Sequence, residues 1–163
     1  MLLSEQAYRK IDRELTKFPA EKKRSAILAS LTIAQDEKGW VSPEVIEDVA
    51  NYLGQPPIAV QEVASFYNML DTKPVGRYKL SVCTNLPCAL RGSEEALAHV
   101  RKKLGVDLGE TTADGLFTVI EAECMGACGD APLVLVNNKQ MCVRMSEDKL
   151  DAMIDLIQQE GKA

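Results

Sequence analysis

A chain of 163 residues, 46% hydrophobic and 26% charged, has the length of one domain or of a small domain with a helical extension, and enough apolar content to bury a core without disulfide support. Its 24 acidic and 19 basic residues leave a net charge of -5, which argues against a nucleic-acid surface and against a polybasic segment for anionic lipid. No apolar run nears the roughly 20 residues that span a bilayer, and Met1-Leu2-Leu3 gives way at once to Ser4-Glu5-Gln6 instead of a signal or transit peptide.

The first seventy residues read as helices. Ser4 to Lys17 forms a weakly amphipathic helix that stops at Phe18-Pro19, because proline disfavours helix in the residue before it. A second helix is expected over Glu21 to Lys38, with Ile27, Leu28, Leu31 and Ala34 on one face and Gly39 as its stop. Ser42 as N-cap and Pro43 at the first helical position open a third, whose stripe of Val45, Ile46, Val49, Ala50 and Leu53 runs to Gly54. Pro56-Pro57 opens a short fourth helix carrying Val60, Val63, Ala64, Phe66 and Tyr67. The turn-rich Asp71 to Gly76 is the candidate linker, which divides the chain into 1–72 and 73–163.

Beyond Gly76 the period changes. Tyr78, Leu80 and Val82 alternate with Lys79 and Ser81, predicting a half-buried strand that ends at Cys83. A helix from about Ser93 to Leu104 turns Ala96, Leu97 and Val100 inward and leads to a second strand at Phe117 to Ala122, so a right-handed parallel crossover is expected. Leu133 to Val136, a turn at Asn137-Asn138-Lys139, a strand through Met141, Val143 and Met145, and a helix with Leu150, Met153, Ile154 and Ile157 inward complete a small mixed sheet. The fold class is therefore α/β, with an all-α front portion.

Four of the five cysteines form two close pairs, Cys83 with Cys88 and Cys124 with Cys128, each just beyond a predicted strand. If those strands are parallel neighbours, their C-terminal ends adjoin and the four sulfurs can converge at one sheet edge. Asn85-Leu86-Pro87 and Met125-Gly126-Ala127 read as irregular loops, and Gly126 and Gly129 let backbone N–H groups approach sulfur. Several chemistries compete. Disulfides suit a secreted chain and would leave the fifth cysteine odd. A four-thiolate zinc site is compatible with the spacings, although the commonest knuckle has two intervening residues. A dithiol redox centre needs C-x-x-C, which is absent. A [4Fe-4S] cluster shows a tighter run, whereas a four-residue gap begins the plant-type [2Fe-2S] pattern, so on spacing alone [2Fe-2S] leads.

The runs Val82-Cys83-Thr84-Asn85-Leu86-Pro87-Cys88, Gly109 to Phe117 and Glu123-Cys124-Met125-Gly126-Ala127-Cys128-Gly129-Asp130-Ala131-Pro132 closely resemble the small [2Fe-2S] subunit family of NADH:quinone oxidoreductase, respiratory complex I. The resemblance extends to Ala64-Ser65-Phe66-Tyr67 and to Lys73 through Tyr78, and so covers the helical portion that free-standing thioredoxin-like ferredoxins lack. It implies a thioredoxin-like domain over 73–163 binding one [2Fe-2S] cluster, with Cys83 and Cys88 on one iron and Cys124 and Cys128 on the other. It also implies a helical domain over 1–72 that docks on the flavin-bearing, NADH-binding subunit, with further iron–sulfur subunits beyond. Cys142 lies outside that ligand pattern, and alternation sets it on the face opposite Met141 and Val143 as a packing residue.

No G-x-G-x-x-G or G-x-x-x-x-G-K-[ST] cradle is present, so FMN and NADH are expected in the partner chain, and no independent catalytic constellation is found. The function expected is one-electron exchange with flavin; the equivalent subunit of an NAD-reducing hydrogenase or NAD-dependent formate dehydrogenase is the alternative. The chain is expected to be bacterial and cytoplasmic, reaching the inner membrane only through its complex, without nucleic-acid or membrane insertion. His99, flanked by Arg101 and Lys102, is expected to face solvent. Lys22-Lys23-Arg24 reads as a docking patch or a solvated helix face, and Trp40 as a core or interface anchor.

Overall fold

The computed structural model describes residues 1–161. The chain divides into two compact units, Met1–Pro74 and Val75–Ala163.

The first unit is helical: α1 (Glu5–Leu15), a 3-10 segment (Ala20–Ala26), α2 (Ile27–Lys38), α3 (Pro43–Leu53) and α4 (Pro57–Phe66). Its boundaries follow local chemistry. The Ser4 hydroxyl accepts the Ala7 N–H and donates to Glu37, and the Ser42 hydroxyl accepts the Val45 N–H. Gly39 and Gly54 close α2 and α3 with φ of 85° and 64°, the left-handed region that glycine enters without the strain a side chain adds. The expected helix over Glu21 to Lys38 is broken, because Lys22 leaves helical geometry at φ -109°, ψ 28° and α-helix begins only at Ile27. Only Ala26 is buried in that first stretch, so no apolar stripe holds it in α-geometry.

The core of this unit is built from Ile11, Ile27, Leu31, Val41, Val49 and Leu53, all 1% exposed or less, together with Val45 and Val60. Each such aliphatic side chain contributes roughly 1.5–3 kcal/mol relative to exposure. Tyr8 and Tyr52, with ring centroids 4.5 Å apart, donate their hydroxyls to Asp48 and Asp12 respectively and stitch α1 to α3.

The second unit runs β1 (Tyr78–Cys83), α5 (Leu86–Ala89), α6 (Ser93–Leu104), β2 (Phe117–Ala122), β3 (Leu133–Val136), β4 (Gln140–Val143) and α7 (Glu147–Gly161). The four strands form one mixed sheet in the order β2-β1-β3-β4, with β1 parallel to β2 and the other neighbours antiparallel. Leu80, Val82, Phe117, Val119, Val134 and Val136 meet the apolar faces of α6 and α7 in a second core. β1 is not the half-buried strand that its alternation predicts. It is central, and Lys79 (2% exposed) and Ser81 (3%) are buried along with the apolar set.

Candidate metal centre

Register brings the two cysteine pairs to one end of the sheet. Cys83, the last residue of β1, is opposite Ala122, the last residue of β2, and Cys124 follows two residues later. Because the strands are parallel, both chains leave the sheet in the same direction, as the spacing argument requires. Cys88 then sits in α5, a single helical turn where irregular loop was expected. Pro87 lies in its first turn, where a missing N–H costs nothing, and the Asn85 carbonyl accepts the N–H groups of Cys88 (2.7 Å) and Ala89 (2.9 Å). Cys128 opens a short 3-10 turn, Cys128–Asp130.

Three of the four sulfurs are gathered. Cys83 (0% exposed) and Cys88 (1%) pack with Ala131 and Leu133, with Cys128 at the edge, and the Cys88 thiol is within hydrogen-bonding reach of both the Cys83 and Cys128 thiols. Cys124 is exposed, and its Sγ accepts the Gly126 N–H at 3.4 Å. Gly126 has φ 73°, which aims that N–H, and a Cβ there would meet no neighbour within 4 Å. The backbone of Gly129 has no such conformation. Among the described residues, no group of three or more histidine, cysteine, aspartate or glutamate side chains closes on a single point as a one-ion site.

The donor set is chemically suited to a thiophilic centre. Burial, reinforced by the Cys83 and Cys128 thiols, pushes Cys88 up to about 12, so in the chain alone this sulfur keeps its proton. Thiols of this kind become thiolates when a cationic centre takes up the charge, which releases protons and couples binding to pH. The N–H donated to Cys124 is the sort of backbone contact that stabilises negative sulfur. Buried thiols, paired strand ends and an N–H aimed at sulfur fit an iron–sulfur cluster.

The loops carrying the pairs are joined by contacts that spacing did not reveal. Thr84 donates its hydroxyl to Glu121, and Asn85 Nδ2 donates to Glu123 Oε2 at 2.9 Å. The Asn-x-Pro sequence before Cys88 is a helix-start signal that could have located α5, but nothing local announces the Glu123 contact.

Other singled-out residues are elsewhere. Cys142 is half-buried on β4 against the second core, while Met141 (42%) and Val143 (39%) are exposed. His99 does not simply face solvent. Half-buried, it bonds Asp151 at 2.8 Å and ties α6 to α7, and this bond, with Lys103 beside it, holds the Asp151 carboxyl below the usual range. Trp40 is half-buried, and Lys22, Lys23 and Arg24 are exposed, with Arg24 paired to Glu62 at 3.1 Å.

Residues 11–158 match the family of thioredoxin-like [2Fe-2S] ferredoxins. The chain is 46% identical over 147 residues to the E subunit of the NADH-quinone oxidoreductase of Rickettsia conorii, covering 90% of this chain and 87% of that protein. It is 39% identical over 144 residues to the NADH-quinone oxidoreductase subunit 2 of Thermus thermophilus, covering 88% and 80%. Among solved structures it is similar to the NAD+-reducing [NiFe]-hydrogenase in the air-oxidized state, with a TM-score of 0.72 and 25% identity over 82% of this chain. It spans 23% of that longer chain.

Proposed function

The chain belongs to the thioredoxin-like [2Fe-2S] ferredoxin family, and on that premise we propose that it is the electron-carrying subunit of the NADH-oxidising module of an NADH:quinone oxidoreductase. A bound [2Fe-2S] cluster supplies one-electron exchange. Cys83 and Cys88 hold one iron and Cys124 and Cys128 the other. The observation that carries this reading is the arrival of both cysteine pairs at the same end of two adjacent parallel strands.

The remaining assignments follow from that role. FMN and NADH are bound by a flavin-bearing partner subunit, and this chain contributes to the oxidoreductase as a carrier without a site of its own for substrate chemistry. Residues 1–72 dock on that partner. Support for docking comes from α4 and its end, where Ile58 (66%) and Phe66 (79%) are exposed. Association with the inner membrane is peripheral, through the complex; among the described residues no helix is long and apolar enough to cross a membrane. The likeness to an NAD+-reducing hydrogenase supports a second reading, in which the same carrier serves a hydrogenase.

Purified anaerobically, the chain is expected to hold two irons and two acid-labile sulfides. Alanine at Cys83, Cys88, Cys124 or Cys128 should abolish or destabilise the visible chromophore, and Cys142→Ala should leave it intact. Zinc without sulfide, or bleaching by the Cys142 change, would remove the ligand assignment. Identifying the subunits that co-purify distinguishes the respiratory complex from the hydrogenase.

A further inference from the structure

The backbone ladder between β1 and β2 ends at the Cys83–Ala122 pair. The two segments that carry the remaining cysteines therefore leave the sheet with no further strand pairing between them. Side chains take over at that point. Thr84 reaches back to Glu121 on β2, and Asn85, one residue further out, reaches Glu123, the residue before Cys124. The first bond ties the exit of β1 back into the ladder, and the second joins two residues that both lie beyond its end.

Asn85 has an unusual division of labour. It occupies the residue before α5, where asparagine commonly turns its side chain back to cap the helix's own N–H groups. Here the side chain makes no cap bond. Its backbone carbonyl alone serves the turn, accepting the Cys88 N–H at 2.7 Å, while its amide is spent on the Glu123 carboxylate at 2.9 Å. One residue thus bonds the segment that places Cys88 and the segment that places Cys124. The second segment needs such a hold, since residues 123–127 belong to no helix or strand and Cys124 is exposed. A carboxylate free beside four thiolates would only add repulsion; bonded to Asn85 by a charge-assisted contact, it acts as a tether.

We propose that Asn85 and Glu123 are positioning residues for the cluster, forming, with Thr84 and Glu121, a clamp that fixes the separation of the Cys83/Cys88 and Cys124/Cys128 segments. The clamp orders the outer loop before metal arrives, so its conformational entropy is not lost again on binding. This inference rests on the ligand assignment proposed above.

The test uses the full chain, anaerobically loaded, and follows bleaching of the visible absorption and iron release in excess chelator. Asn85→Ala and Glu123→Ala should lose the cluster about five-fold or more faster than the unaltered chain, the scale of one charge-assisted hydrogen bond at a partly exposed site. Glu123→Gln removes the charge but keeps an acceptor for Asn85, and should stay within about two-fold of the unaltered chain. The double alanine variant should be no faster than the faster single one, as for two ends of one bond. Bleaching of Glu123→Gln as fast as Glu123→Ala would assign the effect to charge and overturn the clamp, as would Asn85→Ala at the unaltered rate. A fall in the thermal midpoint of the cluster-free Asn85→Ala chain that accounts for its faster bleaching would also overturn it. Should an alanine variant fail to load, the occupancies of Glu123→Gln and Glu123→Ala after equal reconstitution make the same comparison. An unaltered chain without iron and sulfide would instead remove the ligand assignment itself, and the clamp with it.

Discussion

Burial makes the proposed ligands chemically unequal before any metal binds. Cys83 and Cys88 are inside the protein, Cys128 is half-covered, and Cys124 stands in solvent. A thiol-alkylating reagent applied to the cluster-free chain should therefore modify Cys124 first and the buried Cys83 and Cys88 last. At pH 8 the Cys88 sulfur, pushed up to about 12 by burial and its neighbouring thiols, is both covered and protonated. The folded value lies above the ordinary 9.0, so this group favours the folded cluster-free chain below about pH 9 and that contribution is lost as pH rises toward 12. Mass spectrometry of partially alkylated protein reads the order, and equal rates at Cys88 and Cys124 would contradict the packing. The close pairing of the cysteines beside strand ends was legible in the sequence, because residue spacing and strand periodicity are local patterns. The Asn85–Glu123 contact was not, because it joins exposed polar side chains 38 residues apart, a pairing that no local pattern encodes.

Elements were legible where one strong local signal acted. Ser42 and Pro43 start α3, Gly54 ends it, and its stripe from Val45 to Leu53 is buried as its period requires. The apolar spacing that predicted a helix from Glu21 begins only at Ile27, and the charged run before it, without a buried face, forms a 3-10 segment instead. The alternation in β1 was real, yet burial of the strand's other face is decided by its central place in the sheet, a tertiary fact. The entry to that strand depends on Gly76. Its N–H donates to the Thr118 hydroxyl at 2.6 Å, and a Cβ there would stand 2.8 Å from the Phe117 carbonyl carbon and 3.0 Å from both the carbonyl carbon and the oxygen of Leu116. These are backbone atoms at the entry to β2 and cannot yield as a side chain tip would. Gly76→Ala is expected to destabilise the protein by about 2 kcal/mol or more, read as a drop in thermal midpoint. Gly39→Ala, where the same atom would meet open space, should cost only the strain of its positive φ, about 1 kcal/mol. Equal losses at the two sites would show that the close approach at Gly76 is relieved elsewhere.

At the scale of the whole molecule, each unit has its own hydrophobic core, one of residues between Leu3 and Leu70 and one of residues between Leu80 and Ile157, and every proposed ligand belongs to the second unit. The cluster's electrostatics are then set by that unit's residues and by the charge of the whole chain. In the proposed ligation, four thiolates around an oxidised [2Fe-2S] core of charge +2 leave about -2, and one electron adds a third negative charge within a chain that already carries -5. Glu121 and Glu123, joined to the cysteine loops through Thr84 and Asn85, add two carboxylates close by. Opposing them is the N–H that Gly126 donates to Cys124. Replacing a thiolate by neutral imidazole is the usual way to raise such a potential, but the only histidine in the chain is His99, and it bonds Asp151 between α6 and α7. The core's own charge and these carboxylates oppose reduction, while Arg144 is already paired to Asp130 of the Cys128–Asp130 turn, and the potential should be low, within roughly 150 mV of the about -400 mV of plant-type all-cysteine centres. Such a centre exchanges single electrons with a reduced flavin and is poorly placed to store electrons at the level of quinone. A redox titration followed by electron paramagnetic resonance measures it. A midpoint above zero would refute all-cysteine ligation and the low-potential role together.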